Sequence, residues 1–577
     1  MKVMLAKTAG FCMGVRRAME IVLAEVNRGN KPLYTFGPLI HNNQVLDILA
    51  AKGVNPVENL KGLTEGTIII RAHGIPPQKR RLIKNSGLKV IDATCPRVAK
   101  VQAITRSYTR KGYNAVIVGE KDHAEVKGIM GYATNRVFVI QSVKDVSSLP
   151  VLNQVFVVAQ TTQNKQNFKE VVNALEKKIP EILIFDTICE ATSERQEEAR
   201  AFKGQVSAVV VVGGYHSGNT RRLVEVAKEV GLPTFHVETE KELDKKRLSK
   251  MKVIGVTAGA STPNWMIKNV VKEIEGIRGR RDSSFFIWIK KVFKFLVISN
   301  VIVASGAFCL AYASSILSER RPDPVFPLLA FLYIYAMHIL NRFLDKGASA
   351  FNDPERAVFL NKHRRLLTIT GIASILTALA ISFKIGIATF IAMSGLSLSG
   401  IIYSIPLVPE KLKSSFRYSR IKDIPCSRSL SEALAWMVVI TLIPLLKNSS
   451  IILPATVTTC LTVLFMAYIR AALFDIFQVQ GDLIAGSETL PIRLGEKKTL
   501  FILKSVIIAC LFIISGAPAA GFTGPFSFLF LIPLATLFLC VIAYERKWLS
   551  PCLTFEALIE GNFFLTGILT LVWQALP

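Results

Sequence analysis

The stretch VVVVGGYHSGNT, residues 209–220, decides the fold of the first part of the chain. A run of four valines followed by two glycines predicts a strand, because β-branched residues are enriched in strands. The polar residues that follow, Ser217 among them, lie where a helix is expected to begin. A strand that runs directly into a helix is the repeating unit of parallel α/β proteins.

The same pattern recurs on both sides of this stretch. Apolar, β-branched runs are followed by helix-like segments such as VRRAMEIVLAEVNRG. This alternation predicts an α/β fold with parallel sheets. The other predicted strands are KVMLA at 2–6, TIIIRA at 67–72, AVIVGE at 115–120, VFVVAQ at 155–160 and VIGVTAG at 253–259.

Cysteines and polar residues follow the predicted strands. In parallel α/β folds, ligands bind at the carboxyl ends of strands, where helix N-termini present free N–H groups. In chain order these residues form three blocks that each open with a cysteine, so we expect three similar lobes around one central site. The blocks are Cys12, His41 and His73; Cys95, His123 and Thr161; and Cys189, Ser217 and Ser261.

Three cysteines in such positions allow several interpretations. A helix N-terminus favours the thiolate, which is the form that binds metals. A cubane iron–sulfur cluster held by three cysteines leaves one iron open, whereas zinc normally takes a fourth protein ligand. Three unrelated buried thiols are the simplest alternative, and the spacing does not decide. A disulfide framework is disfavoured, since the chain opens without a secretory signal and its first domain is expected in the cytoplasm.

Histidines at the other strand ends predict an anion site. Four of the seven histidines follow strands, namely His41, His73, His123 and His216. Imidazole, hydroxyl and amide donors at helix N-termini can hold a phosphate or a diphosphate, although a lone histidine there is more often a helix cap. Glu125 suits such a site only if it carries a proton, which is what a general acid requires.

A series of motifs runs in order through residues 1–278: GFCMGV, IHNNQV, AHG, DATCP, HAEVKGIMG, QTT, DTICEATSERQ, GGYHSGNT and GVTAGASTP. They resemble the 4-hydroxy-3-methylbut-2-enyl diphosphate reductases (IspH/LytB), enzymes of the non-mevalonate isoprenoid pathway. The resemblance implies that Cys12, Cys95 and Cys189 hold a 4Fe–4S cluster with one open iron, reduced by a donor such as ferredoxin or flavodoxin. It also implies that Glu125 supplies the proton that expels the substrate hydroxyl as water, which yields isopentenyl or dimethylallyl diphosphate.

The resemblance also implies a substrate pocket. Gly218 departs from a common family variant, because many members have serine there, so only its backbone N–H is expected to reach a phosphate. The implied pocket residues are His41, His73, His123, Thr161, Ser217, Asn219 and Ser261, of which His41 and the last three face the diphosphate.

Apolar stretches dominate the second part of the chain. We count nine between residues 292 and 575, several of them near the roughly 20 residues that span a bilayer. With the N-terminus inside, most Lys and Arg lie in inner loops, and the outer loops hold only Arg320, Arg321, Lys384 and Lys447. This bias predicts a multi-pass protein of the cell inner membrane with a cytoplasmic first domain. The stretches are 292–313, 325–341, 366–382, 386–405, 431–446, 451–473, 500–517, 525–544 and 553–575.

Two polar segments interrupt the apolar sequence at inner helix ends. They are NRFLDKGASAFNDPERA from Asn341 and RAALFDIFQVQGDLIAG from Arg470. Ionisable residues at membrane depth are costly and usually functional. Together with GSETLPIRLG, the segments resemble the two Asp-rich motifs of the UbiA prenyltransferases over about residues 290–577.

This second resemblance implies Mg²⁺ bound with a prenyl diphosphate, and transfer of the prenyl group to an aromatic or lipid acceptor. Arg342 and Gln478 stand where the family commonly has Asp, so we expect weaker or altered magnesium binding. The residues implied to bind magnesium and diphosphate are Asn341, Asp345, Asp475 and Asp482.

The expected organisation is a reductase domain over 1–280, a basic linker with the start of an interfacial helix over 281–291, and an all-α membrane domain over 292–577. The net charge of +28 does not indicate nucleic-acid binding, because the basic residues of the first part never interleave with aromatic residues. Small diphosphates and membrane lipid are the expected partners. Two alternatives remain: a catalytically silent membrane anchor in the second part, and a zinc-binding structural module in the first.

Overall fold

The computed structural model describes residues 2–29, 32–277, 284–344, 351–405, 420–447, 452–549 and 551–576 of the 577-residue chain. The chain divides into two compact units, Met1–Asp282 and Ser283–Pro577. The first unit is α/β and the second is helical.

The first unit contains three parallel sheets of four strands each. The central strands are buried on both faces, as is usual in parallel sheets covered by helices; Val116 and Val210, for example, are fully buried. In spatial order the first sheet is β3 (Val54–Val57), β2 (Leu33–Phe36), β4 (Thr67–Ile70) and β5 (Lys89–Asp92). The second is β7 (Val137–Ile140), β6 (Asn114–Val118), β8 (Gln154–Ala159) and β9 (Glu181–Phe185). The third is β1 (Lys2–Leu5), β12 (Val253–Ala258), β10 (Ala208–Val212) and β11 (Thr234–Val237).

The three sheets confirm the predicted lobes, but the predicted grouping of strand ends is wrong. The N-terminal strand β1 pairs in parallel with β12 and so completes the third sheet. In the first two lobes the cysteine comes last in the chain, whereas in the third lobe Cys12 comes first; in all three lobes it follows an edge strand. The groups are His41, His73 and Cys95; His123, Thr161 and Cys189; and Ser217, Ser261 and Cys12.

Helices cover the sheets, and most begin shortly after a strand ends. Their apolar residues recur at helical spacing on the face that packs inward, as Ala18 and Val22 do in the first helix. The helices are α1 (Met13–Asn27), α2 (Asn43–Ala51), α3 (Pro77–Lys84), α4 (Pro96–Arg110), α5 (Ala124–Met130), α6 (Val143–Val146), α7 (Lys165–Glu176), α8 (Glu190–Ala201), α9 (Gly218–Glu229), α10 (Lys245–Leu248) and α11 (Asn264–Gly276).

The second unit packs its helices around a large apolar core. In the described part of the chain, eight helices are long and apolar enough to cross a membrane, or nine if one bent pair counts as a single span. This confirms the predicted polytopic membrane domain. The helices are α12 (Ser284–Ile298), α13 (Val301–Leu317), α14 (Val325–Leu344), α15 (Pro354–Lys362), α16 (Arg364–Ile385), α17 (Ile387–Ser404), α18 (Ser427–Met437), α19 (Leu453–Ala485), α20 (Leu490–Leu494), α21 (Glu496–Ala519), α22 (Leu531–Glu545) and α23 (Leu553–Ala575).

The helix α12 has the composition of a membrane-surface helix. Phe285 and Trp288 are exposed, and Lys290 and Lys291 follow them directly. The chain then bends by 69° into α13, with Asn300 in the left-handed region at φ 62°. A helix with aromatic and basic side chains suits the boundary between headgroups and acyl chains.

Candidate functional site

Each cysteine of the first unit caps a helix. Cys12 precedes α1, Cys95 precedes α4 and Cys189 precedes α8, and each follows an edge strand of its sheet. The backbone N–H of each cysteine donates to a carbonyl just beyond the neighbouring central strand, so the three lobes hold their thiols by equivalent bonds. These acceptors are Ala260 for Cys12 (3.1 Å), Ala72 for Cys95 (2.9 Å) and Thr161 for Cys189 (2.9 Å).

The three thiols share one site. Gly14 in α1 lies against Cys95, and a Cβ at this glycine would be 2.5 Å from the Cys95 Sγ, so no side chain fits there. Burial raises the pKa of the Cys95 thiol, and the thiols of Cys12 and Cys189 raise it further. Because such influence declines with distance, the sulfurs lie near one another.

Arg195 is a buried neighbour of this site that the sequence reasoning did not single out. Its Nη1 donates to the Ala191 carbonyl (2.8 Å) and its Nη2 to the Gly10 carbonyl (2.7 Å). Burial lowers the pKa of the guanidinium, and the thiols of Cys12 and Cys189 oppose this shift. A positive charge beside two thiols favours the thiolate form. The signal was available, since Arg195 lies within the quoted motif DTICEATSERQ.

The three thiols of the first unit are a donor set that an iron–sulfur cluster accepts. Three free thiols that each stand at a helix N-terminus suit such a cluster. Among the described residues, His41, His73 and His123 form one further group of possible metal ligands, with ligand atoms within 4.8 Å of one another.

Three histidines form a second part of the site. Ring centroids are 4.8 Å apart for His41 and His73, 5.9 Å for His41 and His123, and 5.5 Å for His73 and His123. Burial lowers the pKa of all three, to about 4 for His123, and nearby positive groups including Arg71 lower it further. The rings are therefore neutral at pH 7. His216, the fourth strand-end histidine, is exposed.

Glu125 is buried beside these rings, with 1% of its surface exposed. The backbone N–H of Thr161 donates to its Oε1 (2.7 Å) and the Thr161 hydroxyl donates to its Oε2 (2.9 Å). Burial raises the pKa of Glu125, although both hydrogen bonds from Thr161 oppose the shift. The backbone N–H of Glu125 donates to His123 Nδ1 (3.2 Å), which leaves the ring proton on Nε2.

Hydroxyl and amide groups of the third lobe complete the site. The Ser261 hydroxyl donates to the His41 carbonyl (3.1 Å) and lies 3.5 Å from the Ser217 Oγ. Within the described chain, Asn219 Nδ2 and His73 Nδ1 are buried without a hydrogen-bond partner. Buried polar atoms without partners are rare in proteins, and these suit a bound anion.

A continuous series of contacts thus links residues that the sequence placed in separate blocks. It runs from Cys189 to Thr161, Glu125, His123, His41, Ser261 and Ser217.

In the second unit, the structure describes three of the four residues implied to bind magnesium; Asp345 lies outside the described residues. Asn341 Oδ1 accepts a hydrogen bond from the Ser404 hydroxyl (3.2 Å). Asp475 and Asp482 on α19 are 3% and 0% exposed.

Arg428, which the sequence reasoning counted only as a loop charge, contacts the second polar segment. Its Nη1 lies 3.0 Å from Asp482 Oδ2, its Nη2 donates to Gln478 Oε1 (2.9 Å), and its Nε lies 3.4 Å from Asp475 Oδ1. Asn352, from the first polar segment, donates to Asp482 Oδ1 (2.9 Å). The two polar segments therefore meet.

Comparisons with known proteins match the two units separately. Residues 3–275 match the LytB protein family and residues 301–565 match the UbiA prenyltransferase family. The 4-hydroxy-3-methylbut-2-enyl diphosphate reductase of Geotalea daltonii is 46% identical over 277 residues, which is 48% of this chain and 98% of that protein. The reductase of Opitutus terrae is 41% identical over 289 residues, 48% of this chain and 100% of that protein.

Solved structures also match each unit. A structure of (E)-4-hydroxy-3-methyl-but-2-enyl diphosphate reductase is 41% identical, with a TM-score of 0.39, and covers 48% of this chain and 99% of that one. A UbiA homolog from Archaeoglobus fulgidus bound to DMAPP and Mg²⁺ is 17% identical, with a TM-score of 0.32, and covers 48% of this chain and 98% of that one.

Fold and site define the first unit as a three-lobed α/β oxidoreductase domain built around a cysteine triad, joined in one chain to a polytopic membrane domain. Through its first half the chain belongs to the 4-hydroxy-3-methylbut-2-enyl diphosphate reductase (LytB) family. Its second half matches the UbiA family, so the chain is a fusion of the two.

Proposed function

We propose that the first unit reduces 4-hydroxy-3-methylbut-2-enyl diphosphate to isopentenyl and dimethylallyl diphosphate. In this reaction the carbon–hydroxyl bond breaks, two electrons and two protons are taken up, and water leaves. Family membership supports the reaction, and the observation that carries it is the meeting of three helix-capping cysteines with a buried acid.

Cys12, Cys95 and Cys189 are the residues that hold the 4Fe–4S cluster in this proposal. When bound, the cluster supplies electrons one at a time and an open iron for an oxygen ligand. Arg195 balances part of the negative charge that the thiolates bring. Gly14 leaves the space beside Cys95 that a side chain would fill.

Glu125 is the proton source for the leaving hydroxyl. Burial favours its protonated form, and the Thr161 hydroxyl 2.9 Å from Oε2 can pass the proton onward. A neutral acid beside a diphosphate also avoids repulsion between like charges, which an ionised carboxylate would suffer. This arrangement meets both requirements of a general acid: hydrogen-bond reach and a raised pKa.

The diphosphate binds to neutral donors rather than to a dense cationic cluster. His41, His73 and His123 are uncharged at pH 7, and Asn219 and Ser217 add amide and hydroxyl donors at the start of α9. A helix N-terminus adds backbone N–H groups and the positive end of its dipole. The substrate pocket so proposed lies between the carboxyl ends of all three sheets.

For the membrane unit we propose transfer of a prenyl group to an aromatic or lipid acceptor. Asn341, Asp345, Asp475 and Asp482 are the candidate residues for magnesium and the prenyl diphosphate. The carboxylates of Asp475 and Asp482 have the hard oxygens that Mg²⁺ prefers, but both already pair with Arg428, so the second segment does not fit a magnesium ion as it stands. A silent anchor for the reductase is the second candidate function.

The proposed location is the cell inner membrane, with the reductase unit in the cytoplasm and ferredoxin or flavodoxin as electron donor. The lysine and arginine bias of the loops supports this orientation.

The test is an assay of full-length protein purified without oxygen. With an artificial reductant and 4-hydroxy-3-methylbut-2-enyl diphosphate, we expect isopentenyl and dimethylallyl diphosphate as products, from a brown protein that contains iron. A colourless protein that contains zinc and forms no product would support the structural-module alternative instead.

A further inference from the structure

The helix α19 presents three polar side chains on one face near its cytoplasmic end. Asp475, Gln478 and Asp482 are spaced at i, i+3 and i+7, which places them one above another along the helix. Arg428, the second residue of α18, reaches all three with its guanidinium. One side chain from a neighbouring helix therefore joins the whole face.

The pairing uses most of the oxygen atoms on this face. Asp482 Oδ2 pairs with Arg428 and its Oδ1 accepts from Asn352. The amide oxygen of Gln478 also accepts from Arg428. Asp475 pairs through Oδ1, and its Oδ2 is the one oxygen of these side chains that is buried without a hydrogen-bond partner in the described chain. Magnesium demands near-ideal octahedral oxygen coordination, so this face offers it too few ligands.

The charge balance leads to the same result. Asp475 and Asp482 contribute two negative charges and Arg428 one positive charge, whereas Gln478 is neutral where the related family commonly has a third carboxylate. A guanidinium fork matches carboxylate oxygens in fixed geometry and stays charged at any physiological pH. Arg428 thus cancels one of the two carboxylate charges that a magnesium ion would otherwise neutralise.

We propose that the Arg428 guanidinium takes the place of a magnesium ion at the second acidic segment, so that a prenyl diphosphate binds the membrane unit without a metal held by Asp475 and Asp482. This inference rests on the proposed function of the membrane unit as a prenyl diphosphate site. Gln478 belongs to the same arrangement, because a neutral oxygen acceptor pairs with Arg428 without adding negative charge. The membrane unit therefore binds a prenyl diphosphate that has no metal ion between it and the second acidic segment.

The first experiment tests whether Asp475 and Asp482 hold a metal ion. Mn²⁺ replaces Mg²⁺, and its affinity for the full-length protein is measured by electron paramagnetic resonance. We compare the wild type with Arg428→Gln, with Gln478→Asp, and with Arg493→Gln as a control for the change of charge, since Arg493 is exposed. Arg428→Gln frees two carboxylates and should tighten Mn²⁺ binding about tenfold or more, with a smaller gain for Gln478→Asp. Arg493→Gln should change it less than about twofold. Equal Mn²⁺ affinity in wild type and both segment variants would overturn the proposal.

A second experiment tests whether a prenyl diphosphate binds without a metal. Geranyl diphosphate is added as the ligand, and the protection that it gives Cys426 against an alkylating reagent is measured by peptide mass spectrometry. Cys426 lies two residues before Arg428 and is partly buried, so it reports on the membrane site and not on the reductase site. In the wild type, geranyl diphosphate should protect Cys426 even in EDTA, whereas in Arg428→Gln it should protect Cys426 only when Mn²⁺ is present. Protection of wild type that requires the metal would overturn the proposal. No protection in any protein would contradict the proposed prenyl diphosphate site itself, while the Mn²⁺ affinities would still decide the role of Arg428. An unchanged helical circular-dichroism signal verifies that the variants are folded, since reductase turnover reports only on the first unit.

Discussion

The reductase unit and the membrane unit each bury a cluster of polar side chains, but they balance its charge differently. In the first unit, neutral imidazoles surround a protonatable acid, and Asn219 Nδ2 and His73 Nδ1 are buried without partners in the described chain. In the second unit, the acidic face of α19 is already paired with Arg428.

The difference concerns what each site requires from its ligand. Buried donors without partners carry a cost that an anionic ligand removes, so the reductase site is arranged for a ligand that brings negative charge. A guanidinium that pairs with two carboxylates cancels one of their two charges and so lowers their demand for a cation. The proposed reductase function therefore rests on how well the site complements its ligand and cofactor. The proposed transferase function rests on whether Arg428 can take the place of a metal ion.

Serine at Cys12, Cys95 or Cys189 should have the largest effect. Each substitution removes one thiolate ligand, so we expect loss of most of the iron and a fall in turnover of about 10³-fold or more. Iron content, visible absorption and turnover under anaerobic conditions measure it. The matched control is Cys552→Ser, at an exposed cysteine of the membrane unit. Full iron content in any one of the three variants would contradict the three-ligand assignment.

The change Glu125→Gln keeps shape and hydrogen bonding but removes the acid. Turnover should fall by roughly 10² to 10⁴, the usual scale for general acid catalysis, with KM nearly unchanged. Steady-state kinetics with an artificial reductant give both constants, and Glu170→Gln, at an exposed surface carboxylate, is the control. Equal losses in kcat and in substrate affinity would assign Glu125 to binding instead.

Replacing Asp475 by Asn distinguishes a transferase from an anchor. A transferase should lose prenyl transfer by about 10²-fold, because the site loses the carboxylate that orients Arg428. An anchor should show no change, and reductase turnover should be the same in either case. Product analysis with radiolabelled prenyl diphosphate in membranes measures the transfer. Asp345→Ala extends the test to the first segment, and Glu545→Gln, at an exposed carboxylate that pairs with Lys504, is the control.

The buried histidines make the stability of the reductase unit depend on pH. The pKa of His123 is about 4 in the folded protein and about 6.5 when unfolded, so the unfolded state binds more protons between these values. Stability is therefore lost as pH falls from 6.5 towards 4. Substituting His123→Asn should reduce this loss by about 2 kcal/mol. Urea unfolding followed by pulse proteolysis at pH 7 and pH 4.5 measures it, with His216→Asn at an exposed ring as control. Identical pH dependence in both variants would contradict a neutral buried His123.

The smallest expected effect is that of Gly218→Ser. A Cβ at Gly218 would lie 3.7 Å from His123 Nε2 and 4.0 Å from Thr162 Oγ1, which are ordinary contacts, so the side chain fits. The added hydroxyl should strengthen binding of inorganic diphosphate by about two- to tenfold through one further hydrogen bond. Competition against substrate in the reductase assay measures the affinity, and Gly218→Ala controls for the added volume. Weaker binding in both variants would place Gly218 away from the diphosphate.

The strands that could be predicted from sequence are mainly central ones. Five of the six predicted runs form β4, β6, β8, β10 and β12, each central in its sheet, and the sixth forms the edge strand β1. The undetected strands β3, β5, β7, β9 and β11 are all edges, and one central strand, β2, was also undetected. Edge strands keep exposed residues, as Lys89, Val90 and Asp92 in β5 show, so they lack the continuous apolar run.

The sequence by itself determined the element types and the membrane helices, and it predicted the individual site residues, because hydrophobic runs and motifs are local features. Only the tertiary structure decided that β1 pairs with β12, which moves Cys12 into the lobe of Ser217 and Ser261. It likewise decided that Arg195 lies beside the thiols and that Arg428 pairs with Asp475 and Asp482. Strand order and ion pairing depend on contacts between residues far apart in the chain, and no local pattern of residues encodes the partner of a strand or of a charge.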